Sequence, residues 1–455
     1  MKKKIISLIL CSLCCWSQAQ KINMNFPHFA GKTYDFVIFQ GDKQQTILQG
    51  TIPANGKFAL QIPKEYAPYT GMSRWLITNS KDGGGLDMLI PGRDFSVSCQ
   101  EALPTEKNII YKGNAQNKEL NDLYKEQQGI FARHDAMLQA TRSYPKTDKS
   151  FPVFLQEYDA QKRSYKSFQA SLGKDPDYAK ELIRIINTTQ GIGTEIFDNE
   201  AQKAANIAGY IATQMDPEVL YTSGYWANVI SAWVSIHTQV LQDPYRFVED
   251  FSKISSRMTD KKMYTDFVGR TTYYLNEQGK DQYISGIAPW VLVSGKISHY
   301  EGTLAVYLKG AVGRQAPDLV FTRHIGKLEE HNHETTTLKS SELAGNDYQK
   351  TLLVFYESGC GPCENLLQQL PGNYELLKKQ GTRIVSISAD KDEAAYKSKQ
   401  EGFPWKKDAF CDYEGIKGIN FVNYAVSGTP TMFLLDKTGK IVLRTASLQE
   451  VLDHR

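Results

Sequence analysis

The 455-residue chain lacks a dominant charge: 53 basic and 50 acidic residues leave a formal net of +3. That balance offers no electrostatic grip on nucleic acid or on an anionic membrane surface. With 34 Gly and 17 Pro and no low-complexity segment or internal repeat, collagen-like and disordered classes are excluded. Cysteine is scarce, seven in all, so a disulfide-dense scaffold is excluded and the position of each thiol matters. The chain also lacks an apolar run of the roughly 20 residues that a membrane span needs. Val219 to Gln242 comes nearest, having no charged residue. It still carries nine polar groups, among them Asn228, His237, Gln239 and Gln242, too many to face lipid. It reads as a buried or interface helix packed through Trp226, Val229, Ile230, Trp233 and Leu241.

What is present begins with a secretory pattern. Lys2-Lys3-Lys4 precedes the apolar run Ile5 to Trp16, and Ser17-Gln18-Ala19 supplies a small-x-small cleavage site before Gln20. Acylation at Cys11, Cys14 or Cys15 is disfavoured because Leu10, Leu13 and Cys14 stand where a small residue is wanted. Cleavage removes three lysines, three cysteines and no acid, so the mature chain has a formal charge of 0 and keeps Cys99, Cys360, Cys363 and Cys411. The expected compartment is the oxidising periplasm.

Three regions follow. Residues 20–113 hold short strand-like runs, such as Tyr34 to Phe39, Phe58 to Ile62 and Phe95 to Ser98, and read as a β-sandwich. Within it Asn55-Gly56 suits a hairpin turn. Gly83-Gly84-Gly85 reads as a hairpin tip, since no strand-to-helix phosphate loop surrounds it. Residues 114–311 change period: Leu120, Leu123, Tyr124, Ile130, Phe131, Met137 and Leu138 fall at helical spacing, predicting an all-α domain. His134 lies on that stripe as a packed residue, no second metal ligand standing one turn away. Residues 312–455 alternate strand and helix signals, which predicts an α/β domain.

The chemistry concentrates at Cys360-Gly361-Pro362-Cys363. The motif follows the apolar strand Leu352 to Tyr356 and opens a helix bearing Leu366, Leu367 and Leu370. A cysteine at a helix N-terminus meets unpaired N–H groups and the positive end of the dipole, which favour its thiolate. Pro362 is tolerated in the first turn. Two-residue spacing lets Cys363 resolve a mixed disulfide formed at Cys360, giving a two-electron exchanger that needs no cofactor.

These residues, with the Gly313-to-Asp318 entry and Gly428-Thr429-Pro430-Thr431 some 70 residues beyond Cys360, resemble the thioredoxin superfamily. The likeness is to its exported thiol-disulfide oxidoreductases of the TlpA and ResA type, and covers residues 313–455. It implies a thioredoxin-like fold and a cis Pro430 lying against the cysteines. It also implies a substrate contact formed by Gly361, Pro362, Thr429 and Pro430, and protein disulfides as substrates. The Gly-Pro dipeptide resembles that of reducing members, which implies electrons drawn from a membrane or periplasmic donor.

The chain departs from the family pattern in three places. The buried Asp six residues before the first cysteine is replaced by Val354, and the Glu three residues after the second by Leu366. Gly359 replaces the usual Trp, so Tyr356 or another domain is expected to supply the aromatic platform. Glu357 and Glu364 are the nearby carboxylates, substitutes by position only; Glu357 is the candidate proton carrier, the alternative being a solvated strand-end carboxylate. A peroxidatic site is disfavoured because Leu353 and Glu357 occupy the positions of its Pro and Thr. Zinc would need two further ligands from Cys99, Cys411 or His331-Asn332-His333, so no metal is expected. Cys99 and Cys411 read as buried free cysteines, with a third redox thiol as the alternative for Cys411. The alternative is a redox-regulated binding protein whose leading domains hold a partner, or assemble into an oligomer through the helical domain.

Overall fold

The computed structural model describes residues 20–80, 83–173, 177–297, 299–324 and 333–454. The expected leader, residues 1–19, and His331-Asn332 lie outside them. Two compact units are formed: residues up to Asn187 with Glu218–Trp226, and Thr188–Pro217 with Ala227–Arg455.

The first unit opens with strands β1 (Lys21–Asn25), β2 (Thr33–Gln40), β3 (Lys43–Thr51), β4 (Lys57–Gln61), β5 (Thr70–Thr78), β6 (Gly85–Pro91), β7 (Phe95–Ser98) and β8 (Ile110–Lys112). Among the described residues they form two four-stranded sheets, ordered β4-β1-β7-β8 and β3-β2-β5-β6. Alternate side chains of both, including Ile22, Met24, Phe36, Leu60, Trp75 and Val97, meet in one buried cluster. The Asn55-Gly56 turn departs from expectation. Its glycine has φ +69°, as a tight turn requires, but β3 and β4 belong to different sheets. The turn carries the chain across the core and closes no hairpin. Gly84 and Gly85 do close the antiparallel β5–β6 pair, where Leu76 lies opposite Gly85.

Helices α1 (Gln116–Ser143), α2 (Phe151–Ser171) and α3 (Tyr178–Thr189) follow. Leu89 of β6 joins Tyr178, Ala179 and Leu182 in a second cluster. The edge of β6 is satisfied by a side chain: Asn117 Oδ1 accepts the Leu89 N–H at 2.8 Å, and its Nδ2 donates to the Leu89 carbonyl at 2.9 Å. An edge strand is thereby closed without another strand. His134 is buried on α1, packed against Tyr158 at 4.8 Å and bonded to Asp135.

Beyond α4 (Glu200–Thr213) the charge-free stretch corrects the expectation of one helix. It divides into α5 (Pro217–Thr222), α6 (Trp226–Ser235) and a π-helical segment, Ile236–Leu241. Gly224, at φ +82°, breaks it because the left-handed region ends a right-handed helix. The second unit continues through α7 (Pro244–Arg257), α8 (Lys261–Glu277) and α9 (Asp281–Val293). Within these, Trp233, Phe247, Phe251 and Phe267 stack or tilt against one another in a buried core.

The C-terminal region comprises β9 (Leu319–His324), β10 (His333–Leu338), β11 (Lys350–Tyr356), α10 (Gly361–Lys379), β12 (Thr382–Ser388), α11 (Glu393–Glu401), β13 (Ala409–Cys411), α12 (Ile419–Asn423), β14 (Thr431–Asp436), β15 (Ile441–Thr445) and α13 (Leu448–Asp453). Its main sheet runs β13-β12-β11-β14-β15, with β12 parallel to β11 and β14 antiparallel to it. Leu352, Val354 and Tyr356 point into one core layer with α10, whereas Leu353 and Phe355 point into the other with Phe421 and Tyr424. Burial on both faces explains why β11 reads as a continuous apolar run. This is a thioredoxin-like fold within a multidomain chain.

Candidate active site

Strand order brings the site together. Because β11 and β14 are antiparallel with Phe355 opposite Thr431, the loop leaving β11 and the loop entering β14 emerge at the same end of the sheet. Cys360 and Thr429 therefore meet although 69 residues separate them. Cys360 Sγ lies 3.6 Å from the Thr429 carbonyl and 3.9 Å from its hydroxyl. The Thr429–Pro430 bond is cis.

Cys360 caps α10, and its carbonyl accepts the first helical bond from Glu364 N–H at 2.8 Å. Cys360 is partly exposed and Cys363 is buried on the inner face of the helix. Burial, then the adjacent Cys360 sulfur, pushes the Cys363 thiol up to about 12, against smaller opposing contacts from Thr429 and the Glu357 backbone. One sulfur is partly exposed, and the other lies buried with its thiol pKa raised. Gly361 and Pro362 are exposed on the first turn. A groove of about 470 Å³ runs beside Pro362 and Pro430, lined also by Asn365, Gln369, Ser447 and Gln449. No charged side chain lines it.

The two nearby carboxylates differ in setting. Glu357 is exposed at the end of β11, and its backbone carbonyl faces the Cys360 N–H at 3.4 Å. Glu364 is tied down: it pairs with Lys399 and accepts the Gly359 N–H at 2.9 Å. Those contacts hold its carboxyl below the usual carboxylate range.

Tyr356 does not supply an exposed platform. It is fully buried, edge-on to Phe403, because the last residue of a central strand points into the α10 layer. Cys99 is buried in the first unit, whereas Cys411, expected to be buried, is only partly so because it ends the edge strand β13; its Sγ lies 3.2 Å from the Asp390 carbonyl. Burial first, then the charge of Asp390, pushes the Cys411 thiol up to about 11. Among the described residues no cluster of His, Cys, Asp and Glu could hold a metal ion.

Sequence reading passed over Asp390, just beyond β12. It is 5% exposed and bonded to the loop that precedes Cys360. Its signal was weak: two serines, Ser386 and Ser388, in the buried second half of β12.

A paired thiol at a helix N-terminus, on a thioredoxin-like sheet and against a cis-proline loop, defines the class of thiol-disulfide exchangers. Sequence comparison with curated proteins agrees. Residues 312–444 match the AhpC/TSA family. Over 143 residues the chain is 31% identical to the thiol-disulfide oxidoreductase ResA of Bacillus cereus, a stretch covering 31% of this chain and 74% of that relative. Over 165 residues it is 28% identical to ResA of Bacillus anthracis, covering 36% and 87%. A solved thioredoxin-like protein from Bacteroides caccae is similar at 18% identity and a TM-score of 0.36, covering 56% of this chain and 95% of that one. The chain belongs to the TlpA/ResA-like thioredoxin superfamily and is a thiol-disulfide oxidoreductase.

Proposed function

We propose that Cys360 and Cys363 are the exchanging pair and that they reduce protein disulfides in an exported chain. The observation that carries this reading is the contrast between the two thiols. Cys360 is partly exposed against the Thr429 carbonyl, while Cys363 is buried and held protonated. The Cys360 thiolate attacks one sulfur of the substrate disulfide, forming a mixed disulfide, and the released substrate thiolate takes up a proton. Cys363 then gives up its proton and attacks Cys360 Sγ, releasing the second substrate thiol. Two electrons pass to the substrate, the Cys360–Cys363 disulfide remains, and a dithiol donor of membrane or periplasmic origin resets it. Glu357, exposed beside the site, is the proton carrier in this scheme, because Glu364 is occupied by Lys399 and the Gly359 N–H.

Gly361, Pro362, Thr429 and Pro430 form the substrate contact, and two of them, Pro362 and Pro430, border the uncharged groove. An extended peptide segment around the target disulfide fits that lining. Residues 1–19 serve as a cleaved export signal, 20–113 as a β-sandwich and 114–311 as a helical domain, ahead of the catalytic 312–455. The test is dithiol-driven reduction of a small protein disulfide, which Cys360→Ser abolishes. Inactivity of the wild-type chain, or activity surviving in Cys360→Ser, overturns the reading. Cys363→Ala in the native host should trap mixed disulfides with a discrete set of proteins.

A further inference from the structure

Asp390 takes no part in the exchange chemistry, yet it is bound to the loop that presents Cys360. Its Oδ1 accepts the Ser358 backbone N–H at 2.9 Å and its Oδ2 accepts the Ser358 hydroxyl at 2.7 Å. Oδ2 also accepts the Ser388 hydroxyl at 2.7 Å, and Ser388 Oγ accepts the Asp390 N–H at 3.0 Å. A carboxylate this buried is costly unless its oxygens are satisfied, and three of these four bonds satisfy them. The arrangement follows from strand order. β12 runs parallel to β11 with Ser388 beside Tyr356, and the Ala389 N–H donates to the Tyr356 carbonyl at 2.7 Å, so the two strands end side by side. Ser358, two residues before Cys360, is thereby anchored to the neighbouring strand end. Thr429 meets the same cysteine from the opposite neighbour.

We propose that Asp390 is a positioning residue for disulfide exchange, holding the Glu357–Gly359 turn through Ser358 so that Cys360 Sγ stays against the Thr429 carbonyl. The proposal rests on the reading of Cys360 as the attacking thiol. Small displacements of a reacting group cost rate steeply, on the order of a hundredfold for 1 Å. A loop pinned at both its N–H and its hydroxyl resists such displacement.

The test uses the full chain and reads Cys360 directly, by mass spectrometry of its alkylation by iodoacetamide, alongside kcat and KM for dithiol-driven reduction of a protein disulfide. Asp390→Asn preserves volume, and Ser358→Ala removes one anchor from a partly exposed site. Each should slow Cys360 alkylation and kcat by about tenfold with KM little changed. The double variant should fall by less than the product of the two, since both act along one chain of contacts. Wild-type alkylation in Asp390→Asn, or fully multiplicative losses, overturns the proposal. If Asp390→Asn does not fold, Ser358→Ala decides, wild-type alkylation there having the same consequence. Activity persisting in Cys360→Ser would instead refute the parent reading, which the alkylation rates do not address.

Discussion

Arg444 on β15 and Asp281 at the first position of α9 meet at 2.7 Å, with only 4% and 9% of their side chains exposed. The guanidinium also donates to the Ala425 carbonyl at 3.1 Å and sits over the Phe433 ring. Asp281 is favoured at a helix start by the dipole. This pair fastens α9 to the edge of the thioredoxin-like sheet.

Breaking it from one side strands a buried charge. Asp281→Ala should cost about 3–5 kcal/mol in urea unfolding, and adding Arg444→Met should recover part of that loss. A cost no greater than that of an exposed pair, or a double variant worse than the single, would contradict the role given to burial.

Cys363 should resist alkylation in the folded protein at pH 8 while Cys360 is modified, so intact mass spectrometry should report single addition at this pair. Folding raises the Cys363 thiol from 9.0 to about 12, so below pH 9 both states hold its proton and its contribution to stability is fully present. Between about 9 and 12 the unfolded chain releases that proton first, and stability should fall as pH rises through this window. Cys363→Ala should flatten that part of the pH profile.

Glu364 behaves in the opposite sense. Its carboxyl is held below the ordinary 4.5 chiefly by Lys399, so its stabilisation is present above that value and is lost as pH falls through the depressed one. The pair is about a third exposed, so Lys399→Gln should cost at most about 1 kcal/mol at pH 7. Carbon NMR titration should show the Glu364 carboxyl moving up toward the usual range in that variant.

Asn117→Ala should destabilise the first unit by about 1–3 kcal/mol, because the Leu89 N–H loses its partner at the closed edge of β6. Hydrogen exchange at Leu89 should quicken in the same variant, and unchanged protection would show that the edge is satisfied in another way.

Much of this was legible in the chain itself. Apolar Leu352 to Tyr356 followed by Cys-Gly-Pro-Cys declares a buried strand feeding a helix, because that run suits only a strand covered on both faces. The helical period from Leu120 onward declares α1 in the same local way. Where local signals competed with packing, sequence reading failed. Asn55-Gly56 has the chemistry of a hairpin, yet the inner faces of two sheets had to meet across it. The charge-free stretch to Gln242 looks uniform, but a single left-handed Gly224 divides it.

The sequence by itself determined the Cys-Gly-Pro-Cys pair and its setting at a helix start, since residue type and short spacing carry that information, while the approach of Thr429 and Pro430 was implied only by a family resemblance. Only the tertiary structure decided which thiol is buried and which carboxylate is tied down. It alone decided that Asp390 reaches Ser358, through a parallel register bringing together residues 32 apart in the chain. Register between strands is set by burial of whole faces, a property of the assembled core that no single segment contains.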